Sequence, residues 1–347
     1  MKKNESLING NFLNIVPLVC SLLVVMIHQH LVSGDAFTVS SRIISFFTHG
    51  ICTAAVPTFF LLSGYLFFRN ADTFSDVFQK QKKRIKSLLM PFLAWSAFYY
   101  VLYSAVAVIV PGFLQSNVDL SPLGILKGII FYEYAFPLWY MFQLCVFVLL
   151  TPAILLVLRS KAASIILLAT AAVMGILGLE LSIDVGGYER SIFQTNFLAY
   201  YLLGCLLTRW SNVQAALITL AKKLPYVAVL VALAGASLLA SLIFDELIPC
   251  FNNRLAIPLV FAAFFLLMVK LCHRDKTYAT PKISTMVIYG IHSAVGIFIG
   301  EFVLGRLNLP TILHFVVSFL AVTTISVVAA WIMRFIKPIH WVFSGDR

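Results

Sequence analysis

Apolar runs long enough to cross a bilayer follow one another along almost the whole chain. A hydrocarbon core about 30 Å thick asks for about 20 apolar residues per helical span. Such runs are read at 12–33, 44–68, 88–111, 123–130 with 137–158 as one broken or long unit, 162–180, 194–208, 224–244, 254–272, 283–303 and 310–335. The expected fold is all-α: a polytopic membrane protein of about ten transmembrane helices, forming one domain over residues 1–347. Composition agrees, at 61% hydrophobic and 11% charged, against about 45–50% and about 25% in soluble domains. No small-residue cleavage site follows the first run, so it is expected to remain as an anchor. No internal repeat or pair of broken helices in matching positions is visible, which argues against a repeat-built permease.

The net charge of +11 does not point to nucleic acid. The cations lie in short segments between the runs, where they set topology and meet lipid phosphates. With the N-terminus inside, all but Arg42, Lys127, Arg190, Arg254 and Arg306 of the 25 Lys and Arg fall on the inner side. Cytoplasmic loops carry the excess of Lys and Arg, so an even number of spans with both termini cytoplasmic is expected. The six cysteines are scattered without CxxC or Cys/His metal spacing, so no metal is expected.

Ionisable or polar groups inside a span are expensive and mark functional candidates. Asn14, Ser21 and His28 recur every seven residues in the first run, and Pro17 lies on the same side. This stripe should face the bundle interior, whereas His30 points elsewhere. Pro17 is most at home in a first turn, which predicts a helix beginning near it. The second run contains Pro57, Ser63, Gly64 and Tyr65; glycine permits close helix approach. Lys80, Lys82, Lys83, Arg84 and Lys86 crowd the next junction, suited either to lipid phosphates or to a phosphorylated ligand. Trp139 and Tyr140 open a later span, and Gln143 within it needs a partner in the bundle. His292 is a second titratable group at membrane depth. Two spans with one histidine each suggest a shared cavity.

Taken in order, these pieces resemble the acyltransferase-3 family of bacterial ten-span membrane O-acyltransferases. The matching runs are Leu22–His28, Val56–Tyr65, Lys83–Lys86 before Pro91, Leu138–Tyr140, Tyr201–Gly204 and Tyr289–His292. The resemblance implies transfer of an acyl group, usually acetyl, from acyl-CoA to a hydroxyl of a cell-surface or periplasmic glycan or lipid-linked sugar. It also implies a multi-pass protein of the bacterial plasma membrane. His28 matches the family's first-span histidine and would be the catalytic base. Lys83, Arg84 and Lys86 would hold the phosphates of acetyl-CoA or another acyl-CoA. Asn14, Ser63, Tyr65, Trp139, Tyr140 and His292 would line the substrate cavity. The family's first span carries an Arg eleven residues before the His, and here that position is Pro17. That departure favours a second class, a transporter or exporter component derived from the same family.

Overall fold

The computed structural model describes residues 6–29, 38–110, 118–185, 189–244, 256–273, 283–307 and 309–345. His30 lies outside them. The chain runs through α1 (Gly10–Ile27), α2 (Val39–Ser45), α3 (Ala55–Phe68), α4 (Phe74–Arg84), α5 (Met90–Ile109), α6 (Pro122–Ile130), α7 (Trp139–Leu149), α8 (Thr151–Leu158) and α9 (Lys161–Leu177). A hairpin of β1 (Glu180–Asp184) and β2 (Glu189–Gln194) follows. Then come α10 (Thr195–Leu207), α11 (Ser211–Lys222), α12 (Leu224–Phe244), α13 (Ile257–Cys272), α14 (Thr285–Ile297), α15 (Thr311–Met333) and α16 (Lys337–Ser344).

Five described stretches are long and apolar enough to cross a membrane: Gly10–Ile27, Val39–Phe68, Phe74–Ile109, Thr285–Arg306 and Thr311–Met333. Two more are bent pairs, Phe136–Leu149 with Thr151–Leu158 at 57° and Ser211–Lys222 with Pro225–Ala236 at 85°. Lys161–Leu177, Thr195–Leu207 and Ile257–Cys272 are apolar but shorter. Each expected run thus contains apolar helix, and the chain is a multi-pass helical membrane protein with five to seven candidate spans by length. The bend between Phe136–Leu149 and Thr151–Leu158 falls inside the unit expected to be broken or long, and the bend at Ser211–Ala236 is not anticipated.

The expected helical fold holds, with one short hairpin between α9 and α10 that the sequence did not announce. Gln143, inside α7 and wholly buried, is what the hairpin rests on. Its Nε2 donates to the Ser191 carbonyl at 2.8 Å, and the Gln194 N–H donates to its Oε1 at 3.1 Å. The partner is strand backbone rather than another span. One expectation is corrected: α1 does not begin near Pro17. It begins at Gly10, where Asn9 caps it by accepting the Phe12 N–H at 2.9 Å. Pro17 sits inside the helix and offers no N–H to the Leu13 carbonyl. A proline is tolerated in a span where neighbours or a cavity take up the freed backbone.

The bundle closes on small residues. Gly64 of α3 and Gly204 of α10 face each other so closely that a Cβ on Gly64 would overlap the Tyr201 carbonyl, and one on Gly204 the Leu61 carbonyl. Gly290 of α14 is covered by the indole of Trp95 from α5. Trp95 Nε1 then reaches the Phe343 carbonyl of α16 at 3.0 Å. Beside it the Tyr99 hydroxyl donates to the Gly290 carbonyl at 2.9 Å and accepts the Ala294 N–H at 3.1 Å. A side chain thus bridges one step of the α14 ladder, the step that encloses residue 292.

Candidate active site

Asn14, Pro17 and Ser21 follow one stripe of α1 and line a cavity of about 600 Å³. Opposite them stand Phe59, Leu62, Ser63 and Leu66 of α3, Tyr140 of α7 and Tyr289 of α14. Arg84, the last residue of α4, and the start of α14 complete the wall. The lining draws on the first half of α1, the second half of α3 and the start of α14. The cavity therefore lies in the half of the bundle that carries the basic junction. Ser21 turns inward to donate to the Pro17 carbonyl at 2.9 Å. Ser63 Oγ and Tyr140 Oη share a hydrogen bond of 3.2 Å.

His28 ends α1, beyond the far end of the cavity. Its ring meets that of His292 edge to face, with centroids 5.0 Å apart. The His28 Nδ1 lies 2.9 Å from the Val24 carbonyl, and the His292 Nδ1 lies 2.6 Å from the Tyr289 carbonyl. A carbonyl can only accept, so in each neutral ring Nδ1 carries the hydrogen and Nε2 the lone pair. His292 is 1% exposed and its Nε2 has no partner. Next to His28, Gln29 accepts from Ser318 of α15 at 2.8 Å, which ties the end of α1 to a second helix. Tyr289 stands between the cavity and this pair. Its ring lies 6.0 Å from Tyr140 and 5.9 Å from His292, and its hydroxyl donates to the Pro137 carbonyl.

The residues expected from sequence separate into groups. Asn14, Ser63, Tyr140 and Arg84 share the cavity. His28 and His292 come together beyond Tyr289. Lys83 and Lys86 are exposed and outside the lining; of the basic junction only Arg84 reaches the cavity. Tyr65 pairs its hydroxyl with Ser6 Oγ at 3.0 Å, and Trp139 packs on Phe197 at 5.0 Å; neither lines the cavity. Lys80 is taken up by structure, since its ammonium holds the Phe67 carbonyl at 2.7 Å and also the Arg69 carbonyl, where α3 ends.

Sequence reasoning missed Tyr289 as a lining residue and missed the start of α14. Ser284–Thr285 ahead of an apolar run is a helix-start signal that marks the place but not the cavity. No curated protein and no solved structure matches the chain. A family model described as an acyltransferase domain matches residues 11–331. That match spans α1 through nearly all of α15, both histidines and every lining residue, and so this membrane protein belongs to the acyltransferase-3 family.

Proposed function

We propose that the protein is a plasma-membrane O-acyltransferase that moves an acyl group, acetyl by family resemblance, from acyl-CoA to a hydroxyl of a cell-surface or periplasmic glycan or lipid-linked sugar. In this reading ten segments cross the membrane, both termini are cytoplasmic, and the donor enters from the basic end. The observation that carries the reading is the meeting of His28 and His292 just beyond a cavity lined by Asn14, Ser63, Arg84 and Tyr140 among apolar side chains.

His28 is the base. With Nδ1 donating to Val24, its Nε2 takes the proton of the acceptor hydroxyl. The freed oxygen forms a C–O bond to the acyl carbon as the C–S bond breaks, and the proton passes to the departing thiolate. Positioned general-base catalysis of this kind contributes about 10²–10⁴-fold. His292 Nε2, buried with its lone pair unused, stabilises the imidazolium while the proton is held. The family's first-span Arg is Pro17 here, and both Pro17 and Arg84 line the cavity. Arg84 supplies the missing cation from the neighbouring helix, and Lys83 and Lys86 draw the donor's phosphates to the mouth.

The test is the ester content of surface glycans in strains carrying wild-type, deleted and His28→Ala protein, with membrane levels measured in parallel. Loss of esterification in His28→Ala at unchanged protein level is expected, and full retention would overturn the assignment of the base. Export lost with esterification unchanged would favour the transporter class that Pro17 suggests.

A further inference from the structure

α14 starts in the wall of the cavity, where Ile283, Ser284, Thr285 and Met286 all contribute to the lining. The Val287 and Ile288 N–H groups close on the Ser284 carbonyl at 3.2 and 3.3 Å. The N–H groups of Thr285 and Met286 precede that closure and have no acceptor within the helix. Ser284 is the N-cap residue, yet its side chain makes no capping bond. It is 8% exposed, and its Oγ has no partner. Ser284 is itself part of the cavity wall.

Arg84 lines the same cavity, half-buried, and none of the described lining residues is a carboxylate. Among the described residues the ion pair found is Arg209 with Asp72, so Arg84 keeps an uncompensated charge. A guanidinium partly withdrawn from water without a counter-ion is costly. A helix N-terminus adds partial positive charge and aimed N–H donors, which together favour an anion. The orphaned serine hydroxyl is a third donor that a ligand oxygen would satisfy. All of these groups ask for the same ligand chemistry.

We infer that the start of α14 and Arg84 form a two-sided subsite for a phosphate ester. The Thr285 and Met286 N–H groups and the Ser284 hydroxyl would hold its oxygens from one side, and the guanidinium fork of Arg84 from the other. Acyl transfer from acyl-CoA, on which the choice of donor rests, makes this the place of a nucleotide phosphate. A lipid-linked sugar diphosphate would bring the same chemistry.

The experiment uses the full chain purified in detergent. Ser284→Asp keeps a good N-cap residue while setting a carboxylate in the subsite. Dissociation constants are measured for coenzyme A, for pantetheine, which has the same arm without phosphate, and for a polyprenyl diphosphate in mixed micelles. Ser284→Asp is expected to weaken coenzyme A by about tenfold or more and to leave pantetheine within about twofold. Ser284→Thr should bind as wild type does. If only the polyprenyl diphosphate loses affinity, the subsite stands and acyl-CoA falls as the donor. Unchanged binding of both phosphate probes in Ser284→Asp, failure of both to bind the wild type, or an equal loss of pantetheine would overturn the subsite.

Discussion

Arg84 and Lys83 are neighbours in sequence with different surroundings. The guanidinium of Arg84 faces the cavity between α3 and α14, while the ammonium of Lys83 is in the open at the bundle's edge. Water and salt screen an exposed charge strongly and a half-buried one far less. Arg84→Gln is therefore expected to raise the KM for the acyl donor by about tenfold or more, whereas Lys83→Gln shifts it by about twofold at low salt and less at high salt. Equal effects of the two, measured by steady-state kinetics in detergent, would show that the cluster acts only as a diffuse attractor. The histidines obey the same logic of surroundings. His28 and His292 are 264 positions apart; one histidine in each of two spans suggests a shared cavity, but not that the two rings meet. Their Nδ1 atoms are committed to carbonyls of their own helices, and this orients each ring before any substrate arrives.

At the scale of elements, small residues decide how closely α3 and α10 approach. Gly64 and Gly204 let the two backbones touch, while the adjacent Ser63 hydroxyl pairs with Tyr140 of α7. A methyl group at Gly204 meets the Leu61 carbonyl, which is backbone and cannot step aside. Gly204→Ala is expected to cost about 1–3 kcal/mol, the usual range for overpacking. Gly235 of α12, where a Cβ meets nothing within 4 Å, is the control. Thermal unfolding in detergent should drop for Gly204→Ala and not for Gly235→Ala. The sequence marked Gly64 as a site of close approach, because small residues in spans are a packing signal. The partner helix stayed hidden, as periodicity within one run says nothing about which other run it meets. The hairpin escaped for a related reason. Its strands are short and flanked by apolar helix, and they depend on Gln143, about 50 residues earlier in the chain, to hold their backbone.

At the scale of the molecule, the asymmetry of Lys and Arg makes a prediction about sidedness. Segments holding Lys83, Arg209 and the C-terminal residues should report as cytoplasmic in reporter fusions, and the hairpin around Arg190 as external. A cytoplasmic signal at Arg190 would remove the two crossings that flank the hairpin, and an external signal at Lys83 would reverse the direction assigned to donor entry. The bent pairs at Phe136–Leu158 and Ser211–Ala236 show that hydropathy by itself does not say where a helix turns within the bundle.

The amino-acid sequence determined the membrane class, the position of the long apolar helices and the polar stripe of α1. These follow from local quantities, namely apolar length, helical periodicity and the cost of a polar group in hydrocarbon. It also carried the family, through an ordered set of short motifs. Only the tertiary structure decided that Pro17 lies inside α1 and that Arg84 turns inward while Lys83 and Lys86 do not. The same is true of the meeting of His28 with His292 and of the start of α14 in the cavity wall. Each of these depends on which helices touch. Contact between distant helices is settled by close packing of small residues and by hydrogen bonds to backbone carbonyls of another segment, which no single stretch of chain records.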